Sequence, residues 1–474
     1  MSVNEFDAAM LRDQVSVGTN SGPAVISATD ISNRIERMPI SRWHVKARVL
    51  VGTATFFDAF DALTIAQVLP VLAVLWKLTG PQIGMLISIG YLGQLFGALF
   101  FGWLAERRGR VIAMICAIVT FSCMSIACAL AWDYNSLLAF RTIQGFGLGG
   151  EVPIAAAYIS EMTKAHGRGR FVLIYELIFS VGVVMAGVVG YWLVPLLGWQ
   201  YMFVIGAAPV LMIYTLYRWL PESPRWLASR GRLQEADVAL TRIESQVERE
   251  TGQPLPKVEP IASVVATQNQ SSAWGELFSS VYLPRTLMVW SIWFGAYIVY
   301  YGIGTWLPSL YRTVFHLPLE VSLRYGLISN GIGFLGATLC ALTIDYFGRR
   351  FWFAVSLGGS AVFLGILWWL GAKSPEQVLI YSSGAYFFAT AAAVGVYLYT
   401  PELYPTRVRA LGVATATAWL RLASIVGPTI VGTMSTYGLG SVFLTFAVAA
   451  LIATLIVMVF AVETKGGVLE QLSP

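Results

Sequence analysis

The sequence predicts an all-α membrane protein of twelve transmembrane helices, arranged as two six-helix halves with both termini on the cytoplasmic side. Three observations predict it: a composition that water cannot solvate, a ladder of twelve apolar runs, and basic clusters at every second connection. Of the 474 residues, 57% are hydrophobic and only 12% charged, whereas a water-soluble chain carries about a quarter. Residues 111–132 hold no charge at all, so lipid is the solvent for such faces. The net charge of +5 does not indicate nucleic acid, because Lys and Arg sit in short clusters between apolar runs.

Residues 1–48 are a polar cytoplasmic segment without the apolar core and small-residue cleavage site of a secretory signal. Spans need about 20 residues at ~1.5 Å each. Runs of that length begin near Val49, Gln82, Val111, Asn135, Phe171 and Trp199 and make the first half, residues 49–220. Residues 221–284 form a cytoplasmic linker, charged enough over 222–260 for short amphipathic helices and flexible at 268–272. Runs beginning near Thr286, Ser322, Phe351, Glu376, Val408 and Gly440 make the second half, residues 285–463, and 464–474 are a cytoplasmic tail.

Basic residues gather at alternate connections: Arg42, Lys46 and Arg48; Arg107, Arg108 and Arg110; Lys164, Arg168 and Arg170; Arg349 and Arg350; Arg407 and Arg409. The positive-inside rule makes these cytoplasmic. The opposite connections hold little beyond Lys77, Arg312, Arg324 and Lys373. Cys116, Cys123, Cys128 and Cys340 all lie inside apolar runs, with neither disulfide nor metal-ligand spacing.

The halves repeat at motif level. GWLAERRGR at 102–110 and ALTIDYFGRR at 341–350 each place an acid three residues before Gly-Arg, and Glu161 and Glu402 each precede two arginines. Paired repeats of this kind are the signature of halves that rock about a midplane site. The repeated charges Glu106, Arg107, Arg110, Glu161, Arg168, Asp345, Arg349, Glu402 and Arg409 are expected to form a breakable cytoplasmic gate holding the inner ends together.

An ionisable side chain near the bilayer centre costs several kcal/mol unless paired or hydrated, so each is a functional candidate. Asp58 and Asp61 lie about 14 and 18 Å into the first span, one turn apart. In the fourth span Arg141 reaches the level of Asp61, and Glu151 that of Asp58. An Asp that pairs with Arg in one state and meets water in another can couple a proton to transport. Asp61 with Arg141 is the candidate relay; a permanent structural ion pair is the bland alternative. Asp58 and Glu151 are open between coupling, substrate contact and structural pairing. Arg421 lies about 18 Å into its span with no acid within one turn. Its planar fork suits a carboxylate substrate, unless an acid on another helix claims it. Tyr297, Tyr300, Tyr301 and Trp419 at comparable depth can stack on a planar ring, and Asn330 can donate or accept a hydrogen bond; ordinary packing is the competing reading for each. The glycine run at 145–150 lacks the Lys-Ser or Lys-Thr of a phosphate loop and reads as close helix packing.

Gly102, Glu106, Gly109 and Arg110, with Asp345, Gly348 and Arg349, resemble the loop motif of the major facilitator superfamily, and the resemblance covers nearly the whole chain. PESPRWL at 221–227 and ETKG at 463–466 look like hallmarks of its sugar-porter and organic-ion-transporter branches. Glu106, Ala341 and Val462 stand where Asp, Gly and Pro are usual. FFDAFDALTIAQVLP at 56–70, GLGGEVPIAAAYISE at 147–161 and the segment 401–428 look most like bacterial nicotinate and aromatic-acid proton symporters and their vesicle-protein relatives. The resemblance places a proton-linked Asp and its Arg at Asp61 and Arg141. It also implies a basic residue at the Arg421 position in anion carriers.

The expected function is proton-coupled import of a small organic anion such as nicotinate across the cell inner membrane, by alternating access. The expected partners are the organic acid, protons and the lipid bilayer, with no nucleic acid and no cofactor, in a monomer. The alternatives are a sugar or organic-cation transporter, or a non-transporting receptor on the same fold. An enzyme lacks its parts: His44, His166 and His316 fall at or outside span ends, and neither metal ligands nor a nucleophile constellation appears.

Overall fold

The computed structural model describes residues 27–39, 41–162, 168–258 and 273–465. The expected flexible stretch at 268–272, the side chain of Arg168 and residues 466–474 lie outside the described residues.

The chain is a helical bundle. The N-terminal segment contains α1 (Ala28–Glu36), and the first half α2 (Arg42–Leu75), α3 (Gly80–Arg108), α4 (Arg110–Ala129), α5 (Tyr134–Met162), α6 (Arg168–Leu197), α7 (Gln200–Gly206) and α8 (Ile213–Trp219). The linker supplies α9 (Pro224–Ser229), α10 (Leu233–Thr251) and α11 (Ala273–Leu277). The second half contains α12 (Leu283–Thr313), α13 (Leu319–Phe347), α14 (Arg349–Leu370), α15 (Pro375–Glu402), α16 (Thr406–Met434) and α17 (Leu439–Phe460). Helix starts follow the positions read from hydropathy, with one element broken: the run near Trp199 is α7, a 3₁₀ turn at Ala208–Met212 and α8, interrupted at Pro209. Proline in a helix interior removes a hydrogen bond and clashes with the preceding turn, which accounts for the break.

Among the described residues eleven helices, counting the α7–α8 stretch as one, are long and apolar enough to cross a membrane. The 29-residue α5 is not among them. Arg141, Gln144, Glu151 and its glycines lower its hydropathy, yet it packs along both α3 and α4 in the centre of its half.

Glycine sets the α3–α5 spacing. A Cβ at Gly93 or Gly97 would run into the backbone of Thr142 or Phe146, and one at Gly145 or Gly149 into the backbone of Gly90 or Gln94. Close backbone approach of this kind is what small residues permit between membrane helices.

The repeated loop motif has a physical reason. Gly109 between α3 and α4 has φ 108°, and Gly348 between α13 and α14 has φ 90°, a region that side chains other than glycine avoid. A Cβ at either would strike a carboxylate, Glu222 in the first half and Glu463 in the second. Each acid caps the next helix: Glu222 accepts from the Arg110 and Val111 N–H groups at 2.9 and 3.2 Å, and Glu463 from those of Arg349 and Arg350 at 2.9 and 3.1 Å. Thus PESPRWL and ETKG do the same work at equivalent helix starts, satisfying otherwise orphaned donors.

The gate charges are two networks rather than one. In the first half Arg110 pairs with Glu106 at 2.7 Å and Glu161 at 2.9 Å, and Arg230 with Glu106 at 2.9 Å. In the second, Arg349 pairs with Asp345 at 2.7 Å and Glu402 at 2.9 Å. Among the described residues no ion pair joins one half to the other, contrary to the expectation that these charges hold the inner ends together. Each acid is taken up within its own half, by Arg110 at the start of α4 or Arg349 at the start of α14. Arg107 lies over the Trp103 ring, and Arg409 donates to the Tyr404 carbonyl.

The N-terminal segment contains structure that hydropathy does not reveal. Helix α1 is capped by Ser27 and Asp30 and docks on the linker: Arg34 pairs with Asp237 and Glu244, Arg37 with Glu244, and Glu36 with Arg225.

Candidate functional site

The two halves meet along α3 with α16, α6 with α13, and α2 with α12. Toward the end of the bundle away from the termini, α3 and α16 are fastened together: Ser88 bonds the Ile425 carbonyl at 2.8 Å and the Thr429 hydroxyl at 2.9 Å, and Gly80 and Gly84 abut Gly432. A cavity of about 80 Å³, counted as the space open to water centres, lies at mid-depth between the halves. That is room for several waters or a small ring.

Asp58 lines this cavity from α2, Gln94 from α3, Tyr297, Tyr300 and Tyr301 from α12, Asn330 from α13, Tyr386 from α15 and Arg421 from α16. The tyrosines form a connected aromatic wall. Tyr300 stacks on Tyr386 with centroids 5.3 Å apart, Tyr297 on Tyr301 at 5.8 Å, and Tyr91 of α3 closes on Tyr301 at 4.7 Å. Of the substrate contacts expected from sequence, Trp419 is not brought here: its ring packs against Trp290 and Phe294. It lies two positions from Arg421, and side chains two apart on a helix do not share a face.

Arg421 Nη1 donates to the Gln94 side-chain carbonyl, a bond between the two halves. Among the described residues Arg421 has no ion-pair partner within 4 Å; Asp58 is near enough to act on it electrostatically. Asp58 is in turn near enough to Glu151 to act on it electrostatically, and the Glu151 carboxylate accepts from the Thr55 hydroxyl at 3.2 Å. One Asp58 oxygen is buried without a hydrogen-bond partner.

Asp61, 0% exposed, points away from the cavity into the first half. Ser125 donates to it at 3.0 Å, Gln144 Nε2 donates to Ser125 at 2.5 Å, and Arg141 Nη1 donates to Gln144 Oε1 at 2.8 Å. Its second oxygen, too, is buried and unpartnered. Gln94, Ser125, Gln144, Tyr91 and Tyr386 were not singled out from sequence. Gln94 and Gln144 carried a signal, being amides inside apolar spans; the serine and tyrosines carried none.

The model of the "Sugar (and other) transporter" family matches residues 46–474. A niacin transporter of Acinetobacter baylyi is 34% identical over 448 residues, 94% of this chain and 99% of that protein. A putative niacin/nicotinamide transporter of Bacillus subtilis is 29% identical over 438 residues, covering 92% and 100%. The rat synaptic vesicle 2-related protein is 26% identical over 465 residues, covering 94% and 82%. Among solved structures, the partially occluded inward-open xylose transporter of E. coli superposes with a TM-score of 0.70 at 20% identity, covering 90% of this chain and 99% of that one. At that identity the likeness concerns the fold.

Proposed function

The chain belongs to the sugar (and other) transporter family, multi-pass membrane transporters of the major facilitator fold, and we propose that it imports a small aromatic monocarboxylate, such as nicotinate, together with protons. On this reading α5 is a twelfth span, both termini are cytoplasmic, the membrane is the cell inner membrane, and the protein works as a monomer without a cofactor. The fastened α3–α16 contacts then close the outer side.

The observation that carries the substrate class is Arg421, a guanidinium on a tyrosine-walled cavity whose hydrogen-bond partner there is the neutral amide of Gln94. A substrate carboxylate can displace that amide and take both arms of the fork. A flat ring fits beside Tyr297, Tyr300 and Tyr301, with Asn330 in reach of a ring heteroatom or hydroxyl. The niacin transporters among the relatives support the same chemistry.

For coupling, Asp61 and Asp58 each offer a buried carboxylate oxygen free for a proton. The Asp61–Arg141 chain is the proposed relay. Asp58, set between Glu151 and Arg421, is placed to exchange its proton as the substrate anion arrives, since an ionised Asp58 competes with the anion for Arg421. The gate acids and arginines brace each half as it rocks.

The test is binding of a matched pair, nicotinate and nicotinamide, to wild type and Arg421→Ala. The acid alone should bind wild type well, and lose that advantage in the variant. Equal binding of acid and amide by wild type would return the sugar and organic-cation alternatives.

A further inference from the structure

The linker helix α10 packs on α9, α2 and α1 and faces the ends of α4 and α8 across a groove of about 640 Å³, larger than the central cavity and unrelated to it. Its walls have two characters. Arg108 at the end of α3, and Arg232 and Arg242 on the linker, make it basic. Ile112, Tyr217 and Val238 make it apolar, although Val238 stands 70% exposed on the otherwise polar outer face of α10 and Tyr217 is also 70% exposed.

The acids of the groove are engaged. Glu235 holds Arg232 through two bonds of 2.7 and 2.6 Å, and Glu222 is committed to the α4 backbone. Arg108 and Arg242 have no ion-pair partner among the described residues. Depth is marked by Tyr214 and Tyr217, both exposed on the short α8, since tyrosines turned outward at a span end sit at headgroup level. Free phosphate would satisfy the arginines and leave Val238, Ile112 and Tyr217 wet. A phospholipid satisfies both, its phosphate on the guanidinium groups and its glycerol and first methylenes on the apolar wall.

We propose that this groove binds the headgroup of an anionic phospholipid from the leaflet on the terminus side, with Arg108 and Arg242 as the phosphate ligands. The bound lipid then ties α10 to α4 and α8.

The experiment is native mass spectrometry of the full chain titrated with phosphatidylglycerol, phosphatidylcholine or glycerol 1-phosphate. Wild type should retain phosphatidylglycerol over phosphatidylcholine, and Arg108→Gln with Arg242→Gln should reduce that preference about thirtyfold. Arg312→Gln with Arg324→Gln, at the other end of the bundle, should leave it unchanged. If the arginine pair prevents folding, Val238→Glu at an exposed position should lower the preference in its place. No preference in wild type, an equal loss in the distant control, or glycerol 1-phosphate competing as well as the lipid would each overturn the proposal.

Discussion

Asp61 and Arg141 do not touch; they are linked through Ser125 and Gln144 in an unbroken run of hydrogen bonds of 3.0, 2.5 and 2.8 Å. On the proposed coupling role of Asp61, a direct ion pair would hold the carboxyl in one charge state, whereas a link through two neutral groups would let the arginine bias the acid while the hydroxyl and amide reorient, so that a proton could come and go without leaving a bare charge.

Replacing Asp61 by Asn should therefore abolish uptake driven by an inward proton gradient while substrate binding stays measurable. Counterflow exchange, which needs no net proton release, should continue. Gln144→Glu should give Arg141 a fixed counter-ion and slow gradient-driven uptake with little loss of melting temperature. Normal accumulation by Asp61→Asn would transfer the coupling role to Asp58 or Glu151.

At Arg421 the expected loss is that of a charge-assisted bidentate contact. Arg421→Ala should weaken binding of the acid by about 2–4 kcal/mol, roughly thirtyfold or more. Arg421→Lys should recover only part, because a point charge cannot reproduce the planar fork. Calorimetric titration of the three proteins measures this, and full recovery by lysine would count against bidentate recognition.

Much of this was legible in sequence because the bilayer imposes simple rules. Helix starts follow the apolar runs, and charges placed inside such runs announce themselves, so Arg421, Tyr297, Tyr300 and Tyr301 could be set at comparable depth before their contacts were known. Depth along a helix does not give azimuth. Trp419 has the depth of Arg421 but another face, and Ser125 and Gln144 matter only through their partners on neighbouring helices. The gate motifs point to charges that pair within each half and not across them, because a repeat says that two places are alike and not whether they touch. Helix α1 was hidden because it buries its face on another polar element instead of lipid.

The two capping acids should respond oppositely to pH. Burial pushes the Glu222 carboxyl above its ordinary value despite its backbone donors. Glu463 is also partly buried, but four backbone N–H groups outweigh that and hold it below. A depressed carboxyl stabilises the fold above its unfolded pKa, about 4.3, and that contribution disappears as pH falls through the folded value. A raised carboxyl does the reverse, its contribution falling as pH rises from about 4.3 to the folded value. Melting curves of Glu463→Gln should thus lie below wild type at pH 7 and converge with it in acid. Those of Glu222→Gln should improve relative to wild type as pH rises. Parallel pH profiles for the two variants would contradict the assignment.

Orientation is checked by labelling single cysteines introduced into a cysteine-free chain. A cysteine at Arg230, on the exposed linker side of the first-half network, should react from the cytoplasm only. One at Lys373, in the connection before α15, should react from outside only. A reagent confined to the outside that labels position 230 would overturn the twelve-span assignment.

The glycine contacts of α3 and α5 join packing to the candidate binding site. A Cβ at Gly149 would run into the backbone of Gln94, the residue whose side chain receives the Arg421 hydrogen bond across the halves. Backbone cannot rotate aside as a side chain can, so Gly149→Ala must push α3 away from α5, and overpacking of this kind costs about 1–3 kcal/mol. The same displacement carries Gln94 toward α16 and crowds the cavity beside Arg421. Gly149→Ala should therefore lower the melting temperature and weaken acid binding together, although residue 149 does not line the cavity. Gly331, where a Cβ meets nothing within 4 Å, is the control, and Gly331→Ala should change neither. Destabilisation by Gly149→Ala with unchanged affinity would mean that α3 bends around the new methyl group before reaching Gln94, and would separate the packing seam from the substrate site.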